Sequence, residues 1–199
     1  MKERRMIFNA EMVRAILDGR KTQTRRPVKF PLIDKNMGCE LAGNELAGEL
    51  AAHNYWNSPY GKPGDRIWVR ETFRVHSRAT DVATLVYRAS VRNSWAEQTH
   101  RVPVAVCNTP ATPEKWTPSI HMPRWASRIT LEITGVRVER LNSITESDAE
   151  AEGVTDTGFG DLLVDGYRYL WKSIYGEESW AANPWVWVIE FKRVEGGAA

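Results

Sequence analysis

Cysteine is nearly absent from this chain: Cys39 and Cys107 are the only two in 199 residues. Two are too few for a disulfide framework, and the expected location is a reducing cytoplasm. Histidine is also sparse. His53, His76, His100 and His121 lack the short spacings that gather a metal ion, so neither a metal nor another cofactor is expected. No apolar run approaches the roughly 18 residues a membrane span needs, so a membrane partner is not expected. The basic N-terminus has no apolar core or cleavage site of a secretory signal. Apolar residues make up 42% and charged residues 26%, an ordinary balance for a globular protein. The length suits one sizeable core with elaborations better than two full domains.

Net charge is only +2, but it is unevenly spread. Residues 1–30 carry nine Lys or Arg against three acids, and residues 138–165 carry eight acids against one Arg. These runs are either solvated faces of opposite sign or a basic ligand site with acids brought opposite it by the fold. The nine tryptophans serve a core, and flat rings of the same kind also stack nucleobases.

The densest chemistry lies in Gly19-Arg20-Lys21-Thr22-Gln23-Thr24-Arg25-Arg26-Pro27. Ahead of it, Met12, Val13, Ile16 and Leu17 share one face of a short helix that Asn9 can cap and Gly19 can end. Pro27 biases Arg26 towards extended backbone, so Lys21 to Arg26 forms a turn or the start of a strand. Such a segment can hold an anion or set a hydroxyl beside an amine.

From Val28 to Lys62 regular periodicity fades. A weak Glu-Leu-Ala repeat over 40–52 reads as a mobile insertion or as a short helix broken by glycines. Gly61 to Asp65 is a turn. Arg66 to Val75 alternates as a strand, with Ile67, Val69 and Phe73 on one side. Glu71 shares that apolar side, either as a partner for a buried cation or where the strand frays. Val82 to Arg88 is a second strand, and five prolines make 103–123 an irregular excursion that Trp116 and Trp125 can fold back. Ser127 to Leu141 is a long strand whose inward set shifts phase at Gly135, as at a bulge. Thr145 and Asp148 frame the start of a short helix that runs to about Gly153. Asp161 to Tyr175 is another helix, burying Leu163, Tyr167, Leu170 and Ile174. Trp185 to Phe191, apolar on both faces at its start, belongs in the centre of a sheet. The fold class is α+β, a small curled β-sheet or barrel with short helices at its rim.

Three blocks together resemble one family. They are Gly19 to Arg26, Pro63-Gly64-Asp65-Arg66-Ile67-Trp68-Val69-Arg70-Glu71, and Asn183-Pro184-Trp185-Val186-Trp187-Val188-Ile189-Glu190-Phe191. In this order they resemble the ASCH domain, particularly its longer phage and prophage members. The resemblance implies a PUA-like β-barrel over residues 1–195, with insertions at about 30–62 and 90–126 and a tail at 196–199. It also implies a cleft for RNA or nucleotides beside the Gly-x-Lys-Thr turn. One small bacterial member of this superfamily hydrolyses the amide of N(4)-acetylcytidine with a lysine, a threonine three residues later, and a glutamate on the helix after the long strand. The matching positions here are Lys21, Thr24 and Glu152. Alternatives within the same resemblance are a non-catalytic RNA- or nucleotide-binding module and a ribonuclease.

Those three residue types suit amide hydrolysis, which needs a nucleophile, a proton acceptor and a donor to the leaving nitrogen. Thr24 can attack the acyl carbon with neutral Lys21 as base, or Lys21 and Glu152 can activate water that Thr24 positions. Nearby arginines and burial would lower the lysine pKa. Either scheme expects the amine and hydroxyl to face the acid across a hollow wide enough for a pyrimidine. Substrate-binding candidates are Arg25, Arg26 and Arg70 for polar or phosphate contacts, Trp68 for stacking, and Glu71. Each has a plain structural reading as well, in a salt bridge or in the core. The expected partner is a small nucleoside or nucleobase, with RNA as a further partner.

Overall fold

The computed structural model describes residues 1–155 and 162–194. In chain order the elements are β1 (Glu3–Ile7), α1 (Ala10–Leu17), β2 (Gln23–Pro27), α2 (Gly43–Ala51), β3 (Arg66–Arg70), β4 (Phe73–Arg78) and β5 (Val82–Tyr87). There follow α3 (Trp95–Gln98), β6 (Thr99–Pro103), β7 (Thr130–Arg140), α4 (Glu146–Ala151), α5 (Leu163–Tyr175), α6 (Glu178–Ala181) and β8 (Trp185–Arg193). The class is α+β. No helix among the described residues is long and apolar enough to cross a membrane. The chain divides into two compact units.

The first unit comprises Met1–Lys2, Gly19–Asp65 and Glu132–Lys192. Its sheet runs β7-β8-β2, with β2 antiparallel to β8 in a register that pairs Gln23 with Glu190, Thr24 with Ile189, and Arg26 with Trp187. As its composition requires, β8 is central: Val186, Trp187, Val188 and Ile189 are all buried. In β7 the buried set passes from Ile133 to Val136 and Val138, with Gly135 at the phase change. A Cβ on Gly135 would stand 2.7 Å from Glu190 Oε2, so the glycine makes room for that carboxylate. One apolar cluster joins Leu141, Ile144, Ala149, Tyr167, Trp171, Val186 and Val188, tying α4 and α5 to the sheet. Thr145 caps α4 by accepting from the Asp148 N–H, and Asp148 accepts from the Thr145 N–H in return. In α5 the buried stripe is Tyr167 and Trp171, four residues apart. Ile174 is exposed, contrary to the pattern expected from sequence, because Trp171 takes the inward place. The expected start of this helix at Asp161 lies outside the described residues.

The segment 30–62 contains a nine-residue helix despite its glycines. A Cβ on Gly43 would lie 2.3 Å from the Trp185 Nε1, so the helix rests its bare backbone flat on that indole. The Arg140 guanidinium lies 4.5 Å from the centre of the same ring.

The second unit comprises Glu3–Asp18, Arg66–Leu131 and the chain from Arg193. Here β1 runs parallel to β3, and β4-β5-β6 form an antiparallel sheet. The expected single strand from Arg66 to Val75 is broken into β3 and β4 at Glu71-Thr72, where the buried Glu71 carboxylate turns to a partner. Cys107, Met122 and Ala126, from the proline-rich excursion and the turn after it, close over Phe73, Val75, Leu85 and Tyr87. Trp125 meets Phe73 edge-on, with centroids 6.3 Å apart. Asn9 caps α1 through the Met12 N–H, Val13 and Ile16 are buried, and Gly19 follows with φ of 76°. Among the described residues neither unit's strands close on themselves, so the expected barrel is replaced by open sheets. The expected tail at 196–199 lies outside the described residues.

Candidate functional site

The site is built on the first turn of the basic loop and the end of α4. Lys21 and Glu152 pair as an isolated antiparallel bridge, extended by the Thr22 N–H donating to the Ala151 carbonyl at 2.8 Å. That bridge brings together two side chains 131 positions apart. Lys21 Nζ donates to Glu152 Oε2 at 2.5 Å and to the Glu152 main-chain carbonyl at 2.8 Å. Lys21 is 2% exposed and Glu152 3%. The acid therefore touches the amine directly instead of facing it across a hollow. Burial pushes the Lys21 pKa down; Glu152 opposes that shift, and the Arg26 and Arg25 charges add to it.

Arg25 extends the pair into a network. In β2, alternation sends Gln23 and Arg25 to one face and Thr24 and Arg26 to the other. Arg25 donates to the Gln23 amide oxygen and to Glu139 Oε1 at 2.8 Å. It lies 3.2 Å from Asp148 Oδ2 and 3.5 Å from Glu152 Oε1. Glu152 Oε1 is buried and accepts no hydrogen bond; its neighbour is the Arg25 guanidinium. Arg137 binds Glu139 at 3.0 Å and Asp148 at 2.9 Å, and also pairs with Glu190. Through these contacts three cations (Lys21, Arg25 and Arg137) meet four carboxylates (Glu139, Asp148, Glu152 and Glu190). Burial works against the Asp148 carboxylate, but the Gln23 amide, the Thr145 N–H and hydroxyl, and the Arg25 charge outweigh it and hold its pKa at about 2.

Thr24, 1% exposed, stands opposite Ile189 in the ladder. No hydrogen bond joins its hydroxyl to Lys21, whose two bonds both go to Glu152. Arg26 is opposite Trp187, and Tyr60 meets Trp187 edge-on at 5.8 Å. A cavity of about 550 Å³ adjoins the bridge, lined by Gly19, Arg20, Thr22, Ser147, Glu150 and Ala151 among others.

The remaining candidates belong to the second unit and have partners within it. Trp68 is half-buried, with the Arg70 and Arg124 guanidinium carbons 5.7 and 5.9 Å from its ring. Arg70 donates to the Ile120 carbonyl. Glu71 is gripped at both oxygens by Arg128, at 2.9 and 3.0 Å, and Arg128 also reaches the Ser90 hydroxyl. Burial raises the Glu71 pKa while Arg128 opposes the rise. Glu71 is thus the partner of a buried cation, as its place on an apolar face allowed.

Sequence reasoning did not reach Gln23, Glu139 or Arg137 as members of the site. The acidic run over 138–165 was the available signal for Glu139, and Asp148 was legible only as a capping residue.

No family model matches the sequence, and no curated protein does. Among solved structures the chain is similar to the crystal structure of protein EF3133 from Enterococcus faecalis V583, described by the family model DUF984. The identity is 11% and the TM-score 0.43, over 98% of this chain and 81% of that one.

Proposed function

We propose that this chain is an ASCH-type amidohydrolase that cleaves the acyl amide of N(4)-acylated cytosine or cytidine. The observation that carries the proposal is the buried Lys21–Glu152 contact at 2.5 Å. Taking an ammonium and a carboxylate out of water is a poor way to stabilise a fold. An amine whose pKa is driven down beside a carboxylate with one oxygen that accepts no hydrogen bond is, by contrast, suited to handling a proton.

Of the two chemical schemes, the geometry favours activated water. Glu152 Oε1 takes a proton from water as the water oxygen bonds to the acyl carbon and the carbonyl electrons move to oxygen. When the carbon–nitrogen bond breaks, the pair returns a proton to the departing N(4) amine. One water is consumed, and a carboxylic acid and the free amino base leave. Acid–base help of this kind is worth about 10²–10⁴ in rate. Thr24, on the strand face opposite Gln23 and Arg25, has no part in this scheme.

The charge balance supports this reading over a phosphate-gripping or RNA-cleaving one. Arg25 is occupied by Gln23, Glu139 and Asp148, so neither it nor Lys21 offers an uncompensated charge to a phosphate. The test is product analysis with N(4)-acetylcytidine and with single-stranded RNA. Acetate and cytidine in equal amounts from the first, and intact RNA from the second, are expected. Cleaved RNA with an untouched acyl group would overturn the proposal.

A further inference from the structure

Trp68 and Arg70, in the second unit, have no task in the hydrolytic scheme. Strands β1 and β3 lie side by side in parallel, with Glu3 beside Arg66, Arg5 beside Trp68 and Ile7 beside Arg70. Alternation sends these six side chains to one face of the pair, while Met6, Ile67 and Val69 are buried on the other. Arg5 therefore stands next to Trp68 and diagonally between Arg66 and Arg70. The acid among the six, Glu3, is taken by Arg124 at 3.0 Å. Arg70 is the unexplained member. It is 6% exposed, yet no carboxylate pairs with it among the described residues. Its Nη2 donates to the Ile120 carbonyl, and its Nε is buried without a hydrogen-bond partner. Its Nη1 bonds to no described residue and stays open to solvent. Arg5 is exposed and likewise unpaired among the described residues, and the Arg66 Nε is buried without a partner. Burying a cation costs free energy unless an opposite charge answers it, and a second cation nearby adds repulsion. Burial and the Arg5 charge accordingly both lower the Arg70 pKa.

We infer that this face binds a phosphate group, whose oxygens accept hydrogen bonds from Arg5 and from the open Nη1 of Arg70, with Arg66 adding charge. Three arginines against one engaged acid suit a dianion or a chain of anions better than a single carboxylate, and the guanidinium fork matches phosphate oxygens. The half-buried Trp68 ring, with the Arg70 guanidinium carbon 5.7 Å from its centre, lies among these cations. The phosphate is either a free or terminal one or a link in a single-stranded nucleic acid, the same chemistry from two sources. None of these residues takes part in the hydrolytic reading, whose Lys21–Glu152 pair belongs to the other unit.

The experiment titrates the full chain with inorganic phosphate and with a short oligouridylate, in chloride buffer of fixed ionic strength, and reads binding by calorimetry. Wild type, Arg5→Gln and Arg70→Met are compared. Wild type binds at least one of the two probes, and each variant binds it more weakly by about tenfold or more, the loss of one hydrogen bond to a charged group. Binding of inorganic phosphate assigns the site to a free or terminal phosphate. Binding of the oligouridylate alone, weakening steeply with salt, assigns it to a strand. The bound probe should also raise the urea midpoint of wild type more than that of either variant. Arg5 is exposed, so Arg5→Gln carries the test even where Arg70→Met does not fold. A wild type that binds neither probe overturns the inference. Binding left unchanged by Arg5→Gln, or by folded Arg70→Met, also overturns it.

Discussion

Lys21 Nζ and Glu152 Oε2 lie 2.5 Å apart with both side chains almost wholly enclosed, one at the mouth of the basic loop and the other capping the end of α4. Two opposite charges in so little water depend on each other. The amine directs two of its three hydrogens at this one residue, and the same contact joins the N-terminal part of the unit to its C-terminal part.

Breaking the pair on one side should therefore cost far more than removing it. Lys21→Met or Glu152→Leu alone leaves a buried charge and should destabilise by about 3–5 kcal/mol. The double variant Lys21→Met/Glu152→Leu should recover most of that loss. Urea unfolding of the four proteins measures the cycle. Single and double losses that simply add would mean the two groups are not coupled.

Asp148 gives the fold a pH dependence at the acid end. Its pKa in the native chain is about 2, below the ordinary value of 3.8, so the unfolded chain takes up the proton first as pH falls. The stability this group contributes is complete above about pH 4 and is lost as pH drops through 2. Asp148→Asn should be less stable than wild type at neutral pH by up to about 2 kcal/mol, and the gap should narrow below about pH 4 and nearly close by about pH 2. Thermal melts of both proteins from pH 2 to 7 check it.

Gly43→Ala should be disruptive although alanine is the better helix former. The added methyl would sit 2.3 Å from the Trp185 ring, which Arg140 also contacts, so the ring has to move. Overpacking of this kind costs about 1–3 kcal/mol. Alanine at Gly48, where nothing lies within 4 Å, should be neutral or mildly stabilising. Paired denaturation curves, read with tryptophan fluorescence, distinguish the two.

Much of the architecture was legible because burial follows simple periods. The inward residues of β7 and their phase change at Gly135, the central position of β8, and the Thr145–Asp148 cap all follow from local pattern. The oddity of Glu71 on an apolar strand face was legible too, but its partner Arg128 lies 57 positions away and nothing local points to it. The charge asymmetry of the chain allowed acids to be brought opposite the basic loop; it did not say which acids. Glu139 and Arg137 enter through strand alternation in β7, and Gln23 and Arg25 through alternation in β2, facts that need the register of β2 against β8. The glycines of α2 left that segment open between an insertion and a short helix, because the indole that meets Gly43 lies 142 positions away in sequence. Tyr167 was legible as core, where it lies.

The most direct test of the hydrolytic site is a chromatographic assay of a panel of N(4)-acylcytidines with wild type, Lys21→Ala and Glu152→Gln, each shown to be folded. The expected result is release of cytidine and the free acid by wild type, with both variants slower by at least about 10²-fold. Folded wild type that leaves every acylcytidine intact, or Glu152→Gln that works as fast as wild type, would contradict it.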